Sequence, residues 1–390
     1  MFRQEKKYYA RAFLYALAMA AVLLAPFVLL DGGYFVYYGD YNAQQIPFYK
    51  TCIEAVQSGN LGWNWRTDLG ANFVGSYSFY TLGSPFFWFA ALFPVEISQY
   101  LMAPLLALKI ACSSFFAFVY IRRFVTNPQH ALIGGLLYAF SGYSMYNIFF
   151  NHFHEAIVFF PLLLIGLEES VVNKRRGALA AAVAINAFVN YFFFIGECVF
   201  LVLYFVIRLI GDSRFRIGVK DFFCLAFEAV CGVLIAGVLF VPSIFQVLDV
   251  PRSTSMLNGW DFLFYNKNQR YGLILEAMFF PGEVPARTIM FEKADSKWSS
   301  VALFLPLFSM SGVIAMVKGA ATEASRRMKW LRILLPACLI IAMIPGLNSS
   351  FVLFNYSFYT RWFYMPELLC AMATVYVLEH EEFDLGFGVK

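Results

Sequence analysis

The sequence predicts an all-α polytopic membrane protein of about ten transmembrane helices. It forms a single transmembrane domain over 1–390, with a large first extracytoplasmic loop carrying amphipathic helices. Three observations lead there. The 390 residues are 61% hydrophobic and 14% charged, against about 45–50% and about 25% in soluble domains, and mean hydropathy is +0.65, so lipid must be the main solvent. Apolar runs of roughly 20 residues recur, too long and too continuous for barrel strands. Lysines and arginines collect on alternate connections, as cytoplasmic flanks do.

Span 1, about 10–30, leaves the cytoplasm behind Arg3, Lys6, Lys7 and Arg11. Its apolar run is longer than a signal-peptide core and lacks a clear small-residue cleavage site, so it reads as a retained span. Residues 31–97 make the first extracytoplasmic loop, which includes the short apolar piece "SPFFWFAALFP". Span 2, about 98–121, returns to Arg122 and Arg123. Spans 3 (about 129–149) and 4 (about 155–171) form a hairpin ending at Lys174, Arg175 and Arg176. Spans 5 (about 177–193) and 6 (about 196–210) repeat the pattern and reach Arg214, Arg216 and Lys220. Span 7, about 222–247, leads to a second large outer loop, 248–297. Span 8 (about 299–317) descends to Lys318, Arg326, Arg327 and Lys329, and spans 9 (about 331–346) and 10 (about 361–379) complete the set. The short outer turns contain no lysine or arginine, which puts the N-terminus inside. No internal repeat organises the chain. The closing "EHEEFDLGFGVK" stops without a defined end, as a fragment of a longer protein would. All cysteines but Cys52 lie in apolar runs, which argues against a disulfide framework or a zinc site.

No P-loop, dinucleotide-binding glycine motif, HExxH or GxSxG occurs. The inner loops are short, so chemistry belongs at the outer face. Polar residues gather there in four stretches. In "GDYNAQQIPF", Asp40 stands with Tyr41, Asn42, Gln44 and Gln45 ahead of Ile46, Tyr49, Ile53 and Val56, whose spacing predicts an interfacial amphipathic helix. By residue type alone Asp40 is a helix N-cap; amides beyond the needs of one cap keep a functional reading beside it. "NHFHEA", 151–156, packs His152, His154 and Glu155 into one hairpin turn, either a capping turn or part of a site. The histidines are two apart, not at helical zinc spacing. The segment 265–287 offers Lys267, Arg270 and Arg287 as phosphate ligands or as solvated cations. In "NYSFYTRWFYMP", Arg361 is a cation against the positive-inside trend, suited to bidentate phosphate binding or to snorkelling, with Trp362 and Tyr364 as interface anchors. Inside the spans, Lys109 and Glu228 each cost at least about 2.5 kcal/mol. They call for partners: each other, or a cavity that Glu155 and Glu197 also face.

These stretches, with "LLALKIACSSFFAFVYIRR", "NHFHEAIVFFPLLLIGLE" and "MFFPG" before "WSSVALFLPLF", occur in the order seen in the YfhO family of bacterial membrane proteins. The chain resembles that family over most of its length. The resemblance implies a GT-C-like integral-membrane glycosyltransferase of the bacterial plasma membrane, taking a sugar from a polyprenyl-phosphate carrier at the outer face. The family's acid in the first outer loop matches Asp40, its later arginine matches Arg361, and its second polar cluster matches His152, His154 and Glu155. Family proteins are usually longer. On this reading an inverting single displacement uses Asp40 as base or metal ligand, with Glu155 as the second carboxylate. Arg361, Arg270 and Lys267 bind the donor phosphate. Tyr41, Asn42, Gln44, Gln45, His152 and His154 bind substrate. Two carboxylates suit either a bare base or a Mg or Mn site. The implied partners are a polyprenyl-phosphate-linked sugar, a cell-envelope acceptor (teichoic acid, polysaccharide or glycolipid) and membrane lipids, with no nucleic acid. The alternatives are a transporter or flippase working through Lys109 and Glu228 at mid-depth, and a non-catalytic scaffold.

Overall fold

The computed structural model describes residues 2–67, 69–248, 257–283, 290–294, 297–307, 309–355 and 357–389. α1 (Phe2–Leu30) stops where Gly32 and Gly33 take φ of 67° and 99°, a geometry that only glycine adopts freely. A loop leads into a π-helical stretch, Tyr41–Gln45, continuous with α2 (Ile46–Ser58). This is the expected amphipathic helix: Tyr49, Cys52 and Ile53 are buried along one face. A two-residue ribbon, β1 (Trp63–Asn64) against β2 (Ala71–Asn72), departs slightly from the all-α expectation. α3 (Phe73–Tyr77), a second π-helical stretch (Ser78–Leu82) and α4 (Pro85–Ala90) follow. Asn72 and Ser84 cap α3 and α4 with their side-chain oxygens.

α5 (Met102–Ile121), entered through a 3-10 stretch, is followed by α6 (Pro128–Ala139), α7 (Gly142–Tyr146) and α8 (Phe153–Val171). α5 packs against α1, α6 and α8, and most of its length is buried. Predicted span 3 is broken between α6 and α7, where Ser141 turns extended and caps α7. α9 (Ala178–Val189) and α10 (Tyr191–Gly211) form a tight hairpin: Asn190 ends one helix and caps the other, accepting from the amides of Phe192 and Phe193. α11 (Val219–Ile235) and α12 (Gly237–Leu248) meet at a bend of 73°.

Beyond α13 (Gln269–Phe279), predicted span 8 is not a continuous helix. Only α14 (Met310–Lys318) is helical; Trp298, Ser300 and Leu307 have φ of 61°, 58° and 60°, and Pro306 supplies no amide hydrogen. The extended part satisfies its backbone on neighbours instead: the Gly142 amide donates to the Phe304 carbonyl (2.6 Å), and the Leu303 amide to that of Ala277 (2.9 Å). α15 (Glu323–Arg327) and α16 (Lys329–Met343) come next. α16 ends because Ile344 precedes Pro345 and is driven to extended geometry, with φ −110° and ψ 111°. The chain bends there by 100° into α17 (Pro345–Ser349), then forms α18 (Tyr364–Glu379), buried almost throughout, and α19 (Leu385–Val389).

Three described helices, Lys6–Leu30, Val95–Ile121 and Tyr191–Gly211, are long and apolar enough to cross a membrane; the two bent pairs raise this to five. α8 has the length but carries Glu155, Glu168 and Glu169, and α6, α9, α14 and α18 are shorter. The protein is an all-α membrane-embedded bundle in which helix length alone does not fix the number of crossings.

Candidate functional site

Gly39 precedes Asp40 with φ +57°, and a Cβ there would lie 2.9 Å from Cη2 of Trp298. Backbone geometry and close approach both require glycine. Asp40 occupies the N-cap position of the π-helical stretch, yet its side chain makes no capping hydrogen bond. Instead it helps wall a cavity of about 370 Å³ with Gln44, Tyr80, His152, Trp298 and Arg361. The capping role suggested by residue type is therefore not realised. Partial burial pushes the Asp40 carboxyl above the usual carboxylate range, and the positive charge of Arg361 opposes that shift.

Arg361 reaches the cavity through aromatic rings. Its guanidinium lies 3.9 Å from the ring centroid of Tyr359, 5.2 Å from Phe153 and 5.4 Å from Phe192. Its Nε is buried without a hydrogen-bond partner, while its backbone carbonyl accepts from the Tyr143 hydroxyl at 2.5 Å. The chain is held from behind, and the fork is offered to the cavity. Asn348 completes the support: its Nδ2 donates to the carbonyls of Ser357 (2.7 Å) and Tyr359 (2.9 Å), and its Oδ1 accepts from Trp362 Nε1 (2.7 Å).

The remaining expected site residues divide clearly. Gln44 and His152 line the cavity. Gln45 is buried and meets His152 Nδ1 through its Oε1 at 3.0 Å. Tyr41 is fully buried, edge-on to Phe35, and Asn42 clamps the backbone of Tyr37, accepting from its amide (3.1 Å) and donating to its carbonyl (3.0 Å). His154 contacts the Ser144 carbonyl through Nε2 at 3.0 Å. Tyr41, Asn42, Gln45 and His154 thus support the local structure and stand outside the cavity wall.

Glu155 is also outside the wall. It forms a buried ion pair with Lys109 (2.9 Å) and accepts from Ser84 Oγ (2.5 Å), and Lys109 donates to the carbonyl and Oδ1 of Asn151, both at 3.1 Å. The partner of Lys109 is therefore Glu155 and not Glu228, which lies 3.5 Å from Ser170 Oγ. Glu197 does not join Glu155 at a cavity; it accepts from the Tyr364 hydroxyl at 2.9 Å. A divalent ion shared by Asp40 and Glu155 does not fit this arrangement, because Asp40 lines the cavity and Glu155 stands outside its wall, paired with Lys109. Among the described residues no three His, Cys, Asp or Glu side chains gather as a metal site.

Of the other cations, Arg270 is buried, donating to Ser299 Oγ (3.1 Å) and to the Phe358 carbonyl, and so braces the wall behind the cavity. Lys267 is exposed and away from the cavity wall, and Arg287 lies outside the described residues. Among the described residues Arg361 is the one cation in the wall. Tyr80, Trp298 and Tyr359 went unrecognised in the sequence. A signal for two of them was present: "YSFYT" occurs at 77–81 and again at 356–360, and its fourth residue, Tyr80 or Tyr359, lines the same cavity in both copies.

The family model described as bacterial membrane protein YfhO matches residues 11–385, nearly the whole chain. No curated protein and no solved structure matches it.

Proposed function

The chain belongs to the YfhO family of bacterial membrane proteins, and from that premise we propose that it is a GT-C-type glycosyltransferase of the plasma membrane. It moves a sugar from a polyprenyl-phosphate carrier to a cell-envelope glycopolymer or lipid. We further propose about ten crossings with the N-terminus in the cytoplasm, 31–97 and 248–297 outside, and the cavity open to the outer face. The observation that carries the reading is the meeting of Asp40 and Arg361, from opposite ends of the sequence, in one cavity.

In this scheme the phosphate of the donor lies against the Arg361 fork. The acceptor hydroxyl attacks the anomeric carbon, its proton passes to Asp40, and the bond from that carbon to the phosphate oxygen breaks, leaving the new charge beside the guanidinium. A carboxylate with a raised pKa is a better base than an ordinary one, so the partial burial of Asp40 suits the role. An apolar cavity of about 440 Å³ begins at Trp362 and Phe363, the residues after Arg361, and offers a hydrocarbon carrier an adjacent surface. The bent helix pairs would suit a transporter. Against that second reading, Lys109 is bound by Glu155 and Asn151 and so is not offered to a translocated substrate.

The test is sugar transfer in membranes supplied with a polyprenyl-phosphate sugar. Asp40→Asn is expected to reduce transfer by about 10²–10⁴-fold while the protein accumulates at its normal level. Unchanged turnover removes Asp40 as the base; substrate movement that needs Lys109 but not Asp40 would favour transport.

A further inference from the structure

The β1–β2 ribbon and its turn hold four apolar side chains away from the protein. Trp65 is 76% exposed and Leu69 96%, with Leu61 and Trp63 about half exposed beside them. The turn is braced in this form: Asn64 Oδ1 accepts from the Arg66 amide (2.8 Å), the Thr67 hydroxyl meets that of Tyr77 (2.8 Å), and Leu69 takes φ of 66°, a left-handed geometry that leucine rarely adopts. Two hydrogen bonds set the height of the hairpin. Gln57, near the end of α2, donates through Nε2 to the carbonyls of Ala91 (3.1 Å) and Phe93 (2.7 Å). Phe93 stands two residues before Val95, where the membrane-length segment Val95–Ile121 begins. The C-terminal end of α1 lies at the same level, because the Tyr100 hydroxyl donates to that of Tyr34 (2.7 Å), four residues past Leu30. Leu92, between the two bonded carbonyls, is 79% exposed, so this level of the molecule is already apolar on its outside. The tip is drawn back toward it: Arg66 Nη1 lies 3.4 Å from Glu54 Oε2, and Glu54 is one helical turn from Gln57.

We infer that the hairpin 61–72 is a membrane anchor: Leu61, Trp63, Trp65 and Leu69 enter the headgroup and upper acyl region of the leaflet at the ends of α1 and the Val95–Ile121 segment. An exposed apolar cluster marks a partner, and here a lipid surface is at hand, continuous with the outside of a membrane-embedded bundle. The side chains suit that partner. Indoles favour the boundary between headgroup and hydrocarbon. Leucines offer neither a stacking face nor a hydrogen bond to a sugar, but they partition well among acyl chains. Arg66, whose side chain is mostly exposed, can lay its stem along the same apolar surface and keep its guanidinium at the level of anionic phosphates. The anchor also has a lever. The π-helical stretch Tyr41–Gln45 and α2 run without a break from Asp40 to the hairpin, so fixing the hairpin in the leaflet fixes the height of the helix that begins beside Asp40. The inference needs only the membrane-embedded bundle and does not depend on the glycosyltransferase reading.

The experiment is tryptophan emission from the purified full chain in nanodiscs of phosphatidylglycerol and phosphatidylcholine. Subtracting the spectrum of a Trp63→Phe, Trp65→Phe double variant, which keeps an aromatic ring at both positions, isolates the two indoles. Their emission is expected to be blue-shifted, to lose most of its intensity when the lipids carry bromine high on the acyl chains, to lose less with bromine near the chain ends, and to resist aqueous acrylamide. Leu69→Asp keeps both indoles and changes a side chain that is almost wholly exposed, so the protein fold is expected to stay intact. It is expected to weaken the quenching by bromine and to admit acrylamide. Emission that ignores bromine and is quenched by acrylamide overturns the inference, and so does a Leu69→Asp chain quenched like the wild type. Emission that changes only when a soluble cell-envelope glycopolymer is added also overturns it, and assigns the hairpin to the polymer. Sugar transfer is not the readout, so each of these failures leaves the glycosyltransferase reading standing.

Discussion

At the scale of single residues, Asp40 is pulled in opposite directions: burial raises its carboxyl pKa and Arg361 lowers it, with burial the larger effect. On the proposed mechanism Asp40 must be ionised to act as the base, so transfer is expected to fall as pH drops through a value above the ordinary carboxylate range. Arg361→Gln removes the opposing charge and should move that acid limb to still higher pH, a shift read from rate against pH. On the proposed mechanism the same substitution removes the donor at the leaving phosphate and is expected to slow transfer by about 10²–10³-fold, with Arg361→Lys in between because it keeps the charge and loses the fork. Gly39→Ala sets a Cβ 2.9 Å from Trp298 at φ +57°. It should cost roughly 1–2 kcal/mol of local backbone energy and displace Asp40, giving reduced transfer with the rest of the fold intact by circular dichroism. Asp40 and Arg361 were legible in the sequence because each is a charge where charges are rare. Trp298 was not, because aromatics make up 19% of the chain and one more ring carries little contrast; Tyr80 and Tyr359 were marked only by the repeated "YSFYT".

At the scale of elements, the hydropathy pattern located helices well wherever the backbone bonds within one segment, as in α1, α5 and α10. It failed at predicted span 8, where an apolar segment bonds to Gly142 and Ala277 and has no need to be a helix. Apolarity reports the solvent, and only indirectly the backbone. The α16–α17 corner makes the same point: Pro345 announces a break, but nothing in the sequence says that Asn348 just beyond it will anchor the segment 357–362 through three side-chain hydrogen bonds, to Ser357, Tyr359 and Trp362. Asn348→Leu should leave two carbonyls and an indole unsatisfied, costing about 1–3 kcal/mol for each group that stays buried. The expected readout is a lowered unfolding temperature in detergent together with loss of transfer.

For the molecule as a whole, Lys109, Ser84, Asn151 and Glu155 join the first loop, α5 and the head of α8 in one buried polar cluster. Lys109→Met strands the Glu155 carboxylate and is expected to destabilise the protein by about 3–5 kcal/mol. Adding Glu155→Gln should recover much of that loss, because it is the unpaired charge and not the absence of a bridge that is costly; thermal unfolding of the two variants compares them directly. The cluster also sets a timetable for synthesis. The ribosome makes α5 with its lysine well before Asn151 and Glu155 exist, and an unpartnered lysine in an apolar helix costs about 2.5–3.5 kcal/mol to leave in lipid. On that cost α5 is expected to stay beside the insertion machinery until the next hairpin arrives. Nascent chains ending between α5 and α8 should leave α5 accessible to aqueous thiol reagents at an introduced cysteine, and chains extended past α8 should protect it.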